Sequence, residues 1–279
     1  MLVFAKIKSL QQKIKSLKKG NSIGFVPTMG ALHEGHLSLI KQAKKENNIV
    51  VVSIFVNPTQ FDKKEDLINY PKTIDYDLSL LKSIFCDIVF TPTAEEIYAD
   101  NIQSQLFDFD GLEYQMEGKF RDGHFNGVGT IVKRLFEIVK PHKAYFGEKD
   151  YQQLQIIRKM VEKHLIPVRV IGCDIFREED GLAMSSRNSR LTKKHRTVVP
   201  FIYKTIKYAK KKFGTKNALE VTNWVENEFK HQPLLKLEYF EIADEETLLP
   251  VKNKDPKQKS RAFIAVFADK IRLIDNISL

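Results

Sequence analysis

The sequence predicts an α/β fold, with a parallel, doubly wound sheet over roughly the first 170 residues and a small α+β domain after it. Three observations predict it. Short apolar, β-branched runs alternate with segments whose apolar residues recur at helical spacing. The runs are apolar throughout, as strands covered on both faces must be; "IVVVSIFV" at 49–56 is the longest. After the polar stretch "REEDGLAMSSRNSRL" (177–191) the pattern changes to two helices followed by strands that alternate apolar and polar.

Each element follows from its residues. The opening "MLVFAKIKSLQQKIKSLKKG" sets Ile7, Leu10, Ile14 and Leu17 on one stripe of an amphipathic helix. Its lysines are scattered and no small-residue cleavage site follows an apolar core, so it is not expected to be a targeting segment. "SIGFVP" (22–27) reads as a buried strand, and "LSLIKQAKKENN" (37–48) as a helix with a polar stop. "IVVVSIFV" is the next strand, "TIDYDLSLLKSIF" (73–85) the next helix and "DIVFTP" (87–92) a third strand. "GVGTIVKRLFEIVK" (127–140) is a helix turning Val128, Ile131, Val132, Leu135 and Val139 inward. Strand "KAYFGE" (143–148), helix "DYQQLQIIRKMVEKHL" (150–165) and strand "PVRVIGC" (167–173) complete the alternation. Beyond the polar loop, helices are expected over 192–213 and about 216–230, then strands "KLEYFEIAD", "RAFIAVFA" and "IRLIDNI".

Composition narrows the function classes. The longest apolar run is far too short to cross a bilayer, so no membrane partner is expected. The two cysteines, Cys86 and Cys173, each lie beside a strand and support neither a disulfide framework nor a zinc site, which suits a reducing cytoplasm. A net charge of +10 suits an anionic partner, either nucleic acid or a phosphorylated small molecule. The lysine clusters "KYAKKKF" (207–213) and "KNKDPKQKS" (252–260) carry no interleaved aromatics of an RNA-binding module and read as solvated faces.

Four stretches carry chemistry. In "TMGALHEGHLSLI" (28–40), His33 and His36 share a helical face where a strand ends, and Gly30 and Gly35 let backbone approach an anion. In an open α/β sheet such a place binds phosphate, because helix amino ends offer amide donors and positive partial charge. A bland alternative has His33 capping the helix and His36 packing against a neighbour. In "FVNPTQF" (55–61), Asn57 and Gln60 are neutral amides able to meet a carboxylate, hydroxyl or amine, beside the turn that Pro58 fixes. "FGEKDYQQLQ" (146–155) puts Gly147, Lys149 and Asp150 at a strand-to-helix junction with Gln153 one turn in, where Lys149 suits phosphate and Asp150 a ribose hydroxyl or a helix cap. "DGLAMSSRNSRL" (180–191) offers Ser185, Ser186 and Arg187, suited to the β and γ phosphates of a nucleotide.

Together "PTMGALHEGH", "SIFVNPTQF", "YFGEKDYQQL" and "DGLAMSSRN" closely resemble the pantothenate synthetases, the pantoate-β-alanine ligases, as do "YPKT" (70–73), "GHFNGV" (123–128) and "IRLIDNI". The resemblance implies a Rossmann-like domain of the nucleotidyltransferase class over residues 1–174 and a C-terminal α+β lid over 175–279. It implies attack of pantoate carboxylate on the α-phosphorus of ATP, then displacement of AMP by β-alanine, with neither membrane nor nucleic-acid partner. Met29, Gly30, His33 and His36 would border the phosphates, His36 being the proton donor, and Lys149 would bind phosphate. Gly147 and Asp150 would meet the ribose, Glu148 would lie in the ATP site, Phe176 would meet the adenine, and Met184, Ser185, Ser186 and Arg187 the triphosphate. Gln60, Gln153 and Asn57 would hold pantoate and β-alanine. Mg2+ is expected on the phosphates with Asp77 as its carboxylate, although Tyr76 stands where some relatives carry a second acid. Arg121 and His124 take a substrate-side or structural role, and Asn126 replaces a frequent basic residue. A homodimer is implied by the family. Two rivals share some of these features: a nucleotidylyltransferase acting on another small acceptor, which the Gln60 and Gln153 pair disfavours, and a basic RNA-binding protein supported by charge alone.

Overall fold

The computed structural model describes residues 1–279 except 18–19, 62–63, 100, 253 and 256. Asn253 and Pro256 of the 252–260 cluster and Lys18 and Lys19 of the opening segment therefore lie outside the described residues. The chain divides into two compact units: Met1–Glu148 with Gln153–Asp174, and Lys149–Gln152 with Ile175–Leu279.

Among the described residues of the first unit, β1 (Leu2–Phe4), β2 (Ile23–Thr28), β3 (Ile49–Ile54), β4 (Ile88–Phe90), β5 (Lys143–Gly147) and β6 (Arg169–Cys173) form one parallel sheet in the order β1-β4-β3-β2-β5-β6. The helices are α1 (Ile7–Leu17), α2 (Glu34–Glu46), the short α3 (Lys64–Ile68), α4 (Ile74–Ser83), α5 (Ala94–Tyr98), α6 (Met116–Phe120), α7 (His124–Val139) and α8 (Tyr151–Lys163). Successive residues of β2 show why the sheet is covered twice. Phe25 meets Phe136 of α7 edge-to-face at 6.3 Å, while Val26 packs with Leu37, Ile40 and Ala43 of α2. Val50, Val51 and Val52 of β3 are wholly buried, which explains a run with no polar alternation.

The stripe of α1 buries Leu10 and Ile14, and each such burial contributes about 1.5–3 kcal/mol. Leucine and isoleucine at its ends, Ile7 and Leu17, are only partly covered. In α7 the five residues expected to point inward are all buried, along with Phe125, Phe136 and Ile138.

In the second unit, β7 (Lys236–Asp244), β8 (Ser260–Ala268) and β9 (Ile271–Ser278) make an antiparallel sheet, β8 central. Ile202, Ile206 and Phe213 of α10 (Phe201–Phe213) and Val221, Val225 and Phe229 of α11 (Ala218–Lys230) share a core with Ala262, Ile264 and Val266 of β8. Asn217 and Glu220 close a capping box at the start of α11.

Three expectations are corrected. The single helix over 192–213 is two, α9 (Lys193–Val198) and α10, because Pro200 lacks the amide that would continue the ladder. β1 was not foreseen; at three residues it shows no period, and only pairing beside β4 makes it a strand. The polar loop 177–191 is built rather than irregular: Arg177 bridges Ala183, and Ser186–Arg190 form a 3-10 turn. No helix among the described residues is long and apolar enough to cross a membrane.

Candidate active site

The strand order reverses at β2: β3, β4 and β1 lie to one side and β5 and β6 to the other, and in such sheets ligands bind beyond the carboxyl ends at the reversal. β2 ends at Thr28, whose hydroxyl donates to the Ser53 carbonyl at 2.7 Å. Gly30 then takes φ 81° and Ala31 φ 49°. A Cβ at residue 30 would sit 3.0 Å from Asp77 Oδ2 and 3.1 Å from Ile54, so position 30 needs glycine for both conformation and space.

This left-handed pair aims two backbone amides at Asp77. Ala31 N–H donates to Oδ2 at 3.0 Å, Leu32 N–H to Oδ1 at 2.8 Å, and the Thr73 hydroxyl to Oδ1 at 3.1 Å. Asp77, expected as a magnesium ligand, is 1% exposed and is instead the anion that the loop closes around. Among the described residues no group of three or more His, Cys, Asp or Glu could hold a metal ion, and both Asp77 oxygens are engaged by protein donors. Tyr76 is exposed.

The anchored loop delivers the histidines. His33 stands at the N-cap of α2 in extended backbone, and its side chain makes no capping bond, unlike the bland alternative. Its carbonyl accepts from the amides of His36 (2.8 Å) and Leu37 (3.1 Å), which starts the helix. The two rings lie 4.0 Å apart, tilted by 32°, half-buried at the positive end of α2.

Beyond β3, a 3-10 turn over Pro58–Gln60 is organised by Asn57, which is 1% exposed. Its Oδ1 accepts from the Thr59 hydroxyl (3.2 Å) and from Tyr98 Oη (2.6 Å); its Nδ2 donates to the Gly127 carbonyl and to Gln60 Oε1, both at 3.2 Å. Asn57, expected against substrate, is thus spent on fixing Gln60. Gln60 Nε2 in turn meets Met29 Sδ at 2.8 Å, which ties this turn to the histidine loop. Behind it, His124 Nδ1 contacts the Gln60 carbonyl at 2.7 Å and Nε2 faces Arg121 Nη1 at 3.0 Å. A carbonyl only accepts and a guanidinium only donates, so His124 is the neutral tautomer with its proton on Nδ1. Arg121 lies 3.9 Å from Glu117. Both residues therefore support Gln60. Gly127 is required for the approach of α7, since a Cβ there would come within 2.2 Å of the Thr59 carbonyl. Asn126 accepts the Phe107 amide at 3.0 Å.

Tyr98 is a site residue that the sequence does not announce, because about 40 positions separate it from Asn57 and no motif surrounds it. Burial raises its phenol pKa against the opposing bonds from Thr59 and Asn57, so it acts as a neutral donor.

At the end of β5, Gly147 and Glu148 belong to the first unit, and Gln153 lies half-buried in the first turn of α8. The second unit holds the remaining residues. Lys149 Nζ is 3.7 Å from an Asp150 carboxylate oxygen, with the lysine side chain largely covered. Phe176 accepts the Met184 amide on its carbonyl at 3.0 Å and leaves its ring partly exposed. Ser185 caps the 3-10 turn through Oγ, which accepts the Arg187 amide at 3.3 Å. Asn188 ties that turn back to Glu178 (2.7 Å) and to the Ala183 carbonyl (3.2 Å). The structure thus gathers Met29, His33, His36 and Gln60 in one place within the first unit, and Met184, Ser185, Ser186 and Arg187 on one braced turn within the second.

Known proteins resemble this chain over nearly its whole length. A sequence model of the pantoate-beta-alanine ligase family matches residues 2–278. The chain is 58% identical to a pantothenate synthetase of Christiangramia forsetii, over 100% of this chain and 99% of that protein. It is 56% identical to one from Flavobacterium psychrophilum, over 100% of both. A crystal structure of the pantothenate synthetase of Thermus thermophilus superposes with a TM-score of 0.91 at 38% identity, covering 99% of each chain. That of a Francisella tularensis pantoate-beta-alanine ligase, complexed with beta-gamma ATP and beta-alanine, gives 0.83 at 37% identity, covering 100% of this chain and 97% of that one.

Proposed function

From the premise that this chain belongs to the pantoate-beta-alanine ligase family, we propose how its residues carry out the reaction. The protein is a ligase of nucleotidyltransferase-like fold that condenses pantoate with β-alanine at the expense of ATP. The pantoate carboxylate attacks the α-phosphorus, pyrophosphate leaves, and the β-alanine amine then attacks the pantoyl carbonyl and releases AMP.

No enzyme nucleophile is needed, and burial pushes both thiols, Cys86 and Cys173, up to about 12, far from thiolates at neutral pH. The residues position the reactants and stabilise charge at phosphorus. His33 and His36 donate to phosphoryl oxygens at the positive end of α2, His36 giving the proton. Gln60 presents the second lone pair of Oε1 and the second proton of Nε2 to pantoate and β-alanine, with Gln153 as its companion. Lys149, Met184, Ser185, Ser186 and Arg187 hold the triphosphate, Gly147 and Asp150 the ribose with Glu148 beside them, and Phe176 the adenine side. Asn57 and Asp77 serve by holding Gln60 and the histidine loop. Magnesium, if bound with ATP, would supply charge compensation at the phosphates, and no described side chain is assigned to hold it. The enzyme works as a cytoplasmic homodimer.

The observation that carries this reading is the pair of imidazoles 4.0 Å apart at the amino end of α2, linked through Met29 to the oriented amide of Gln60. Its test is AMP and pyrophosphate release from MgATP with pantoate and β-alanine supplied singly and together. AMP should require both. His36→Ala and Lys149→Ala should each lower the adenylation rate by about a hundred- to a thousandfold with the fold intact. Near-normal turnover in both would sink the assignment.

A further inference from the structure

Two adjacent polar residues of the last strand, Asp275 and Asn276, are buried and have no part in the reaction set out above. In β9, Asp275 lies opposite Ile264 and Asn276 opposite Phe263, so the two side chains emerge on opposite faces of the small sheet. Each one reaches a different segment.

On one face, Asp275 accepts two bonds from Arg177, at 2.7 and 2.9 Å. The same guanidinium donates to the Gly181 carbonyl at 3.1 Å and stacks on Tyr203 at 3.7 Å. Arg177 also pairs across its hairpin with Ala183, the residue before Met184. On the other face, Asn276 Nδ2 donates to the backbone carbonyl of Lys149 at 2.9 Å. Its Oδ1 accepts from Arg261 at 2.6 Å, and Arg261 lies 3.9 Å over the Tyr151 ring while also donating to Glu245 at 3.0 Å. The Asn276 amide donates to Asp275 Oδ1 at 2.8 Å, which couples the two anchors.

Apolar residues would fill this space at no desolvation cost, whereas a fully bonded polar network fixes one geometry. We propose that Asp275 and Asn276 are positioning residues of the ligase: Asn276 sets the backbone from which Lys149 reaches phosphate, and Asp275, through Arg177, sets the strand leading into Met184–Arg187. This rests on the reading of Lys149 and Ser185–Arg187 as triphosphate ligands. One strand then keeps both phosphate-binding segments in register, and small misplacements of a charge-stabilising group cost large factors in rate.

The test is Asn276→Asp, which keeps the size of the side chain and an acceptor for Arg261 but turns the donor facing Lys149 into an oxygen. The adenylation kcat should fall about ten- to a hundredfold, while KM for pantoate stays within about twofold and the thermal midpoint hardly moves. In a Lys149→Ala background the same change should cost less than about twofold more, because the residue acts through Lys149. A folded Asn276→Asp with unchanged kcat, or its full loss repeated in the Lys149→Ala background, would overturn the positioning role alone. Wild-type turnover in Lys149→Ala would instead overturn the phosphate reading of Lys149, and the proposal with it. If Asn276→Asp does not fold, Asn276→Ala, which adds no charge, carries the same expectations.

Discussion

The segments bearing functional residues are fixed differently in the two units. In the first, a carboxylate, Asp77, is satisfied by two backbone amides and a hydroxyl, and an amide, Asn57, by a phenol, a hydroxyl, a carbonyl and Gln60. In the second, the segments hang on charge: Arg177 on Asp275, and Arg261 on Asn276 and Glu245. Strand ends of a parallel sheet present amides that need acceptors, so a short acid or amide suffices there. A three-stranded sheet with one helical layer has little depth for bracing loops, and a guanidinium with several donors links elements that backbone alone does not join.

The contrast can be broken most severely at Asp275. Asp275→Ala leaves Arg177 buried without its carboxylate and should destabilise the protein by about 3–5 kcal/mol, seen as an early unfolding transition in calorimetry; a shift under about 1 kcal/mol would place the pair among weak surface bridges. Asp77→Ala strands the Ala31 and Leu32 amides and should cost on the order of 3 kcal/mol. Because the same loop carries His33 and His36, its adenylation rate should drop as well, and denaturant melts combined with pyrophosphate release would show whether both effects arrive together. If stability fell with the rate preserved, the loop would not depend on Asp77 for its shape.

The smallest effect sharpens the comparison, since the second unit also has a carboxylate bonded to backbone. Burial pushes the Asp244 pKa up, but bonds from the Thr247 amide and hydroxyl and the Glu246 amide hold it below the ordinary value. Its folded pKa lies below its unfolded one, so its contribution is complete above about pH 4, the ordinary aspartate range, and fades as pH falls through the folded value. Asp244→Asn should therefore lower stability by about 1 kcal/mol at neutral pH, with the gap to the wild type closing in acid. Thermal midpoints across pH would show a constant gap if the carboxylate charge were immaterial.

Most of the candidate site residues can be named before the fold is known. His33, His36, Gln60, Lys149 and Ser185–Arg187 lie in short stretches whose residue types suit phosphate and a hydroxy acid, and local spacing carries that signal. The supporting residues were not legible in the same way. In the sequence Asp77 reads as a metal carboxylate, because an acid beside expected phosphates suggests one, yet its oxygens turn to amides 45 residues or more away in the chain. Tyr98 and Asn276 act across 41 and 127 residues, where no periodicity reports a contact. The break at Pro200 was readable in principle, since proline forbids the helix interior, but the apolar spacing on both sides masked it.

By itself the sequence determined the alternation of strands and helices, the apolar faces they bury, and the candidate residue types suited to phosphate, because these depend on period and local chemistry. Tertiary structure decided that Asp77 braces the histidine loop, why Gly30 and Gly127 admit no side chain, and which distant groups hold Gln60 and Lys149 in place. Those outcomes follow from hydrogen-bond satisfaction in buried space, which is settled only when remote segments meet.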